Sequence, residues 1–243
     1  FFSSACGAIM LVLGNILVRD TVNSSAKTEN IGADKSAGLS FRVFMTPMIL
    51  SVLLAIVCQG MLRDGVTTWM PSYIAETYNL SNSISILTGV LLPIFSLLCY
   101  SAASKLYRKY LKNPLTCSAV IFLAGCVSSF LLYVLSGKSA VASVFLSAVL
   151  TGCMHGVNML LVCMLPAYFK RHGKVSTAAG VLNSFTYIGS ALSTYGFASL
   201  SENLGWSFTI VMWIGVAALG CALCLTWSKR FGKEYGDADH IVE

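Results

Sequence analysis

Long stretches without any Asp, Glu, Lys or Arg recur along the chain, and they limit it to one class of fold. Each is longer than the roughly 20 residues with which an α-helix crosses about 30 Å of hydrocarbon. Only 11% of the residues are charged, whereas soluble domains carry about 25%. With two shorter apolar runs, 1–17 and 44–62, the pattern predicts an all-α membrane protein with seven spans. The long stretches are 81–104, 113–137, 139–169, 175–201 and 203–228.

The basic residues are distributed unevenly over the segments between these runs. If the last residue is placed in the cytoplasm, all but two of the 16 Lys and Arg residues fall on cytoplasmic segments. Lys138 alone lies outside, and Arg63 alone lies within a span. This is the positive-inside bias that orients membrane proteins, and it differs from the single basic surface of a nucleic-acid-binding protein. We therefore expect an integral protein of a bacterial cytoplasmic membrane, with its C-terminus in the cytoplasm, a lipid bilayer as partner and no nucleic acid.

The same pattern divides the chain into segments. Residues 1–18 lack an initiator Met and a basic start, so we interpret them as a helix cut near its beginning and not as a signal peptide. Residues 19–42 are rich in Ser, Asn, Lys and Gly without a helical period, which is typical of a flexible cytoplasmic linker. Residues 43–228 form the predicted bundle, and 229–243 form a cytoplasmic tail.

The chain carries no motif that indicates an enzyme. All nine cysteines lie in apolar runs, and the pair Cys221 and Cys224 lies in mid-helix without acidic or His neighbours. Packing therefore explains these cysteines better than metal or redox chemistry does. No nucleotide-binding glycine loop and no nucleophile motif is present. We expect a protein that is not an enzyme and needs no cofactor or metal.

One arginine interrupts an otherwise uncharged span. A helix from Val43 to Met70, ended by Pro71, places Arg63 about 24 Å beyond Pro47. A charge inside the membrane costs about 2.5–3.5 kcal/mol on insertion scales, so such residues face a partner, a cavity or a substrate. Depending on where the bilayer begins, Arg63 lies near the outer middle of the membrane or anchors the helix at the outer headgroups. The spacing leaves both positions open.

Polar neighbours on this helix favour a cavity. Gln59, Arg63 and Thr67 recur at i, i+4 and i+8 and therefore share one face. Asp64 points about 100° away from Arg63, so a simple local ion pair is not expected. A polar face of this kind favours a cavity lining over a lipid-facing anchor.

A later span, 140–165, carries two polar residues near its middle. His155 and Asn158 lie three residues apart on one face. Gly152 and Gly156 beside them allow another group to approach closely. A lone His in a helix is also commonly a satisfied core residue, so a binding role and a packing role both stay open.

The next span, 175–200, is the most polar. Asn183 and Tyr187 share a face with Ser190 or Ala191 and then with Thr194. Packing explains the small residues of this span, but it does not explain Asn183 and Tyr187 equally well. The small residues, which predict a surface for close helix contact, are Gly180, Gly189, Ser193 and Gly196.

Several segments, taken together, resemble one transporter family. Residues 63–74, RDGVTTWMPSYI, resemble the R-x-G-(x)3-W-x-P-x-Y-[LI] segment on the seventh helix of major facilitator transporters of the organophosphate:phosphate antiporter group. Residues 17–21, LVRDT, resemble the L-x-R-D-T that follows the sixth helix of that group. The A-A-G of 178–180, the Y-I-G of 187–189 and the G-W of 205–206 are similar to landmarks around its eleventh helix. Members of the group carry glycerol phosphate or hexose phosphates.

The resemblance implies a fold, a missing partner and a site. Residues 1–18 would be the truncated sixth helix, 19–42 the central cytoplasmic loop and 43–228 the C-terminal six-helix bundle, with the N-terminal six-helix half missing. Arg63 would face the central cavity and bind the phosphoryl group of a small anionic metabolite, with a second arginine on the missing first helix. The implied substrate-binding residues are Gln59, Arg63, Thr67, His155, Asn158, Asn183 and Tyr187.

Two departures from the family pattern bear on the mechanism. Residues 100–105, YSAASK, lack the Gly and Asp of the group's G-x-x-x-D-[KR] loop, which counts against the usual inner-gate ion pair. Asp64 replaces a residue that is commonly aromatic or apolar, which makes it the candidate for proton coupling. The sequence thus predicts a secondary active transporter of a small organic anion, such as a sugar phosphate or glycerol phosphate, that works by alternating access with phosphate antiport or proton coupling. A transporter-like sensor of sugar phosphates and a proton-coupled carboxylate permease stay as alternatives.

Overall fold

The computed structural model describes residues 46–80, 91–172 and 175–235, which all lie in one compact unit, Arg42–Glu243. The predicted first span, 1–17, and the predicted linker, 19–42, lie outside the described residues. The span predicted at 83–104 is described only from residue 91 onward. The predicted tail, 229–243, is described as far as residue 235.

Throughout the described residues, the regular structure is helical. Helix α1 is Pro47–Tyr78, α2 is Leu91–Lys109, α3 is Pro114–Leu135 and α4 is Ala140–Asn158. Helix α4 continues as a π-helical turn, Met159–Met164, and a 3₁₀ segment, Leu165–His172. The last helical run, Val175–Tyr235, is broken at Gly205, whose φ of 78° lies in the left-handed region that favours glycine. We call its two arms α5, 175–204, and α6, 206–235.

Four helical runs in the described part are long and apolar enough to cross a membrane: Pro47–Tyr78, Pro114–Leu135, Ala140–Phe169 and Val175–Lys233. The break at Gly205 divides the last run into two arms, and each exceeds the roughly 20 residues that a crossing requires. The predicted all-α membrane architecture is therefore confirmed in outline. The total of seven spans stays a prediction.

Helix α1 is longer than the sequence predicts, because Pro71 does not end it. The helix continues through Pro71 to Tyr78 and ends at Asn79, whose φ of 51° is left-handed and whose N–H bonds to the Ala75 carbonyl. Met70, Tyr73 and Ile74, on either side of the proline, are fully buried, and their packing offsets the helical hydrogen bond that the proline cannot donate. With the longer helix, Arg63 lies about 24 Å from the first residue of α1 and about 22 Å from the last, close to mid-helix.

Hydrogen bonds tie the helices together at one end of the bundle, where basic residues also gather. The Asn113 side chain caps α3 and donates to the Ser228 carbonyl of α6 at 2.7 Å. The hydroxyl groups of Tyr107 and Tyr168 meet at 3.0 Å, which joins α2 to the 3₁₀ segment after α4. The basic residues on these helix ends and the adjoining loop are Lys105, Arg108, Lys109, Lys112, Lys229, Arg230 and Lys233. Which side of the membrane this end faces stays a prediction.

Helices α1 and α5 cross at close range through two glycines. A Cβ on Gly60 would strike the Thr186 carbonyl, and a Cβ on Gly189 would strike the Val57 carbonyl. The predicted small-residue surface is thus correct for Gly189. For Gly180 and Gly196 it stays a prediction, because no described residue lies within 4 Å of the place where a Cβ would lie.

Helix α3 lies at the edge of the described bundle. One of its faces is buried, with Leu115, Phe122 and Leu132 fully enclosed. The opposite face is a continuous apolar surface suited to lipid. The exposed side chains on this face are Val120, Leu123, Val127, Phe130, Leu131, Tyr133 and Val134.

Candidate anion-binding site

Arg63 and Asp64 form a two-pronged ion pair in the middle of α1. Arg63 Nε donates to Asp64 Oδ1 at 2.6 Å, and Arg63 Nη2 donates to Asp64 Oδ2 at 2.8 Å. The sequence-based expectation of no local pair is wrong. The Cα–Cβ bonds do diverge, but the arginine stem is long and flexible enough to carry its guanidinium around the helix to the short aspartate. The two parallel N–H donors of the guanidinium, which we call the arginine fork, match the two carboxylate oxygens. They would match a planar or tetrahedral oxyanion of a ligand in the same way.

Two neighbouring helices contribute polar groups to this pair. Arg63 Nη1 donates to Asn158 Oδ1 on α4 at 3.4 Å, and the Ser190 hydroxyl on α5 donates to Asp64 Oδ2. The Arg63 and Asp64 side chains are 17% and 30% exposed. The pair is therefore enclosed by α1, α4 and α5 but is not sealed from the surroundings.

Gln59 lies one turn before Arg63 and is fully buried. Its Nε2 donates to the Met154 carbonyl of α4 at 3.2 Å. Its Oε1 has no hydrogen-bond partner among the described residues. A buried acceptor without a donor costs about 1–3 kcal/mol, so this atom is suited to receive a hydroxyl or amide from a bound molecule.

The recorded hydrogen bonds of the Thr67 and His155 side chains go to groups other than the Arg63 and Asp64 side chains. The exposed Thr67 hydroxyl donates to the Arg63 carbonyl of its own helix at 2.6 Å. His155 Nδ1 lies 2.9 Å from the Thr151 carbonyl and 3.2 Å from the Ser96 hydroxyl, which itself donates to the Leu92 carbonyl. Because the Ser96 hydroxyl already donates to Leu92, both contacts place the proton of the ring on Nδ1. His155 is close enough to Asp64 to act on its charge.

The backbone of α4 changes its winding directly after Asn158. The π-helical turn that begins at Met159 is closed by a bond from the Leu165 amide to the Leu160 carbonyl. Pro166 follows, and a proline cannot donate the bond that α-helical winding requires. Such π-turns are frequent at functional sites, where they redirect side chains. Here the turn directly follows the residues that face Arg63.

Asn183 and Tyr187 are exposed on α5, and Tyr187 is 62% exposed. No hydrogen bond recorded in the structure joins either of them to Arg63. They share a helical face with Ser190, which does reach the ion pair. The sequence pattern leaves Ser190 as one of two possible residues on that face. Its position one turn after Tyr187 was the available signal, but the contact depends on how closely α5 crosses α1.

An apolar hollow lies beside the crossing of α1 and α5. Its volume is about 330 Å³. Arg63 does not line it, so the hollow is separate from the ion pair. The lining residues are Leu50, Ser51, Leu53, Leu54, Val57 and Phe185.

Comparisons with known proteins indicate the family of this chain. The family model described as Major Facilitator Superfamily matches residues 1–194. The chain is 23% identical over 159 residues to the uncharacterized MFS-type transporter YvkA of Bacillus subtilis (strain 168). That match covers 64% of this chain and 35% of YvkA, so the chain spans about a third of the relative's length. The family model matches most of the chain, and the described residues are almost entirely helical, with several helices long and apolar enough to cross a membrane; the chain belongs to the Major Facilitator Superfamily.

Proposed function

We propose that the protein is a secondary active transporter in which Arg63 binds a small organic anion. Membership of the Major Facilitator Superfamily supports a transporter role rather than an enzymatic one. In this proposal the chain is the C-terminal bundle, and it moves against an N-terminal bundle by alternating access. The anion is a phosphorylated metabolite, such as a sugar phosphate or glycerol phosphate.

The observation that carries the proposal is a guanidinium in mid-helix that remains 17% exposed. Burying charge inside a membrane is costly, and packing alone does not require an arginine at this position. A guanidinium offers two parallel N–H donors to a phosphoryl group and keeps its proton at every physiological pH. Arg63 Nε and Nη2, which donate to Asp64, are already oriented to bind the two oxygens of an oxyanion.

Asp64 occupies the position that a substrate anion would take. Its two oxygens fill the arginine fork, so substrate and Asp64 compete for the same donors. A proton bound to Asp64 removes its negative charge and releases the fork. We propose that this competition couples proton uptake to anion binding, with exchange against phosphate as the alternative mode of coupling.

The groups around the fork suit the uncharged part of a phosphorylated polyol. Gln59 Oε1 is an unused acceptor, and Asn158 already contacts Arg63 with its amide oxygen. The exposed Thr67 hydroxyl and the His155 ring add further polar groups on α1 and α4. Asn183 and Tyr187 would reach the ligand from the exposed face of α5.

Transport by the intact protein in proteoliposomes tests the proposal. We expect counterflow of labelled inorganic phosphate that glycerol 3-phosphate and hexose 6-phosphates inhibit, and we expect Arg63→Lys to abolish it. Lys keeps the charge but loses the fork, so this variant separates anion recognition from simple attraction. The proposed substrate class is excluded if none of these compounds is carried or competes.

A carboxylate permease is the second candidate, because a carboxylate already fills the fork. Proton-driven uptake of a labelled hydroxycarboxylate such as lactate, without competition by any phosphate ester, favours this alternative. Saturable binding of a phosphate ester without any flux favours a transporter-like sensor instead.

A further inference from the structure

We infer that Ser190 is a positioning residue that holds Asp64 against Arg63 and links the state of this ion pair to helix α5. The inference deepens the proposed function and rests on it, since it concerns the carboxylate proposed to couple protons to transport. Ser190 does not contact the fork of Arg63 in any recorded hydrogen bond. It acts on the arginine through Asp64.

The side-chain hydroxyl and the backbone carbonyl of Ser190 bond to different groups. Its hydroxyl donates to Asp64 Oδ2, which is the same oxygen that accepts from Arg63 Nη2. Its carbonyl accepts from the Ser193 hydroxyl at 2.7 Å and from the Thr194 hydroxyl at 3.0 Å. The backbone at Ser190 is therefore held independently of its hydroxyl. Removing the hydroxyl removes the link to Asp64 and leaves the local helix contacts in place.

The close crossing of α1 and α5 brings this short side chain within reach of Asp64. Gly189, the residue before Ser190, packs against the Val57 carbonyl, and Gly60 packs against the Thr186 carbonyl. The two backbones are thus in contact one turn away from Asp64. A movement of α5 relative to α1 would therefore change the Ser190–Asp64 bond.

The charges around Asp64 determine what the bond does. Among the described residues, the charged or titratable groups recorded as acting on Asp64 are Arg63 on α1 itself and His155 on α4, whereas α5 supplies the neutral Ser190 hydroxyl. A hydroxyl bonds more strongly to an ionised carboxylate than to a neutral carboxyl. Ser190 therefore stabilises the ionised state that is paired with Arg63. When a proton from the medium binds Asp64, α5 loses this charge-assisted contact at the moment when the arginine fork is released.

The protonation of Asp64 tests this inference without any substrate. Infrared difference spectra of the intact protein would be recorded across a pH titration, with Asp64→Asn used to assign the carboxyl signal. The variants are Ser190→Ala, Ser190→Cys, which is close in size but a weak donor, and Ser190→Thr, which keeps a hydroxyl. The control is Ser184→Ala, since the Ser184 hydroxyl on the same helix donates only to the Gly180 carbonyl at 2.9 Å.

We expect the midpoint of the Asp64 titration to rise by about one pH unit in Ser190→Ala and Ser190→Cys, because the ionised form loses a donor. Ser190→Thr should restore most of the wild-type midpoint, and Ser184→Ala should leave it unchanged. The inference is overturned if Ser190→Ala and Ser190→Cys both titrate like the wild type, or if Ser184→Ala shifts the midpoint as much as they do. Because the readout needs no flux, a chain that carries no phosphate ester would refute the proposed substrate and still report on Ser190.

Discussion

Helix α1 carries two polar clusters that differ in charge and in enclosure. The central ion-pair cluster consists of Gln59, Arg63 and Asp64 with Asn158 and Ser190. The aromatic end cluster lies near the end of the same helix. Its members are Tyr73, Tyr78, Ser136, Ser143 and Trp206.

The hydroxyl groups of the aromatic end cluster bond to one another, and at its edge Trp206 Nε1 donates to the exposed Glu76 carboxylate at 2.7 Å. The Tyr73 hydroxyl lies 2.9 Å from that of Ser136, and the Tyr78 hydroxyl lies 2.7 Å from that of Ser143. The Gly137 amide also donates to Tyr78, and the rings of Tyr73 and Trp206 are 5.6 Å apart. This cluster joins α1 to the turn between α3 and α4 and to the start of α6. Its polar groups serve the fold.

The central ion-pair cluster has features that packing does not require. It contains two charges at mid-helix, both partly exposed, and a buried acceptor without a recorded donor. Replacing a buried ion pair by apolar residues is often neutral or stabilising, so such a pair is weak evidence for stability. Mutually bonded hydroxyl groups at the helix end hold helices together, whereas a partly open charge in mid-helix indicates a ligand.

The largest effect that this comparison predicts is on transport by Arg63 variants. Arg63→Lys and Arg63→Gln should lower phosphate counterflow by about 100-fold or more, because the bound anion loses the two parallel charge-assisted hydrogen bonds, each worth about 1.5–3 kcal/mol. Thermal unfolding of the purified Arg63→Lys variant should stay close to that of the wild type. Near-normal flux in Arg63→Lys would place the arginine among structural groups such as Tyr73.

The second expected effect is on stability, and it differs between two glycines of α5. In Gly189→Ala the new Cβ meets the backbone of α1, so we expect a loss of about 1–3 kcal/mol in stability. Gly196→Ala is the matched control on the same helix, because nothing lies within 4 Å of its new Cβ. Thermal unfolding in detergent measures both. Equal stability of the two variants would contradict the close crossing on which the Ser190 contact depends.

The smallest effect belongs to the aromatic end cluster. Tyr73→Phe and Tyr78→Phe each remove hydrogen bonds between neutral groups, which contribute about 1 kcal/mol and correspond to roughly 2–4 °C in Tm. Transport per folded molecule should not change. If either variant lost transport while keeping its Tm, the division between a structural and a functional cluster would be wrong.

Features that depend on the local sequence could be predicted, whereas features that depend on the packing between helices could not. The absence of charge over long runs predicts membrane helices directly, and i, i+4 spacing correctly places Gln59 and Arg63 on one side of α1. The path of α1 through Pro71 could not be predicted, because it depends on the tertiary packing of Met70, Tyr73 and Ile74, which offsets the local cost of the proline. Helical-wheel geometry also misjudged Asp64, since it follows the Cβ atoms and ignores the reach of an arginine side chain.

The role of Ser190 depends on tertiary structure in a similar way. A serine on a polar stripe has no distinguishing sequence signal, and only the glycine-mediated crossing brings its hydroxyl to Asp64. The exposure of Asn183 and Tyr187 likewise depends on how α5 packs.

Anion binding by the Asp64→Asn variant tests the central claim most directly. If Asp64 competes with the substrate for the fork of Arg63, removing its charge should tighten equilibrium binding of glycerol 3-phosphate about tenfold, or 1.4 kcal/mol. The measurement is calorimetric titration of the intact protein at a pH where wild-type Asp64 is ionised. Arg63→Lys combined with Asp64→Asn should abolish the gain. Unchanged or weaker binding in Asp64→Asn would contradict the claim that Arg63 is held in reserve for an anion.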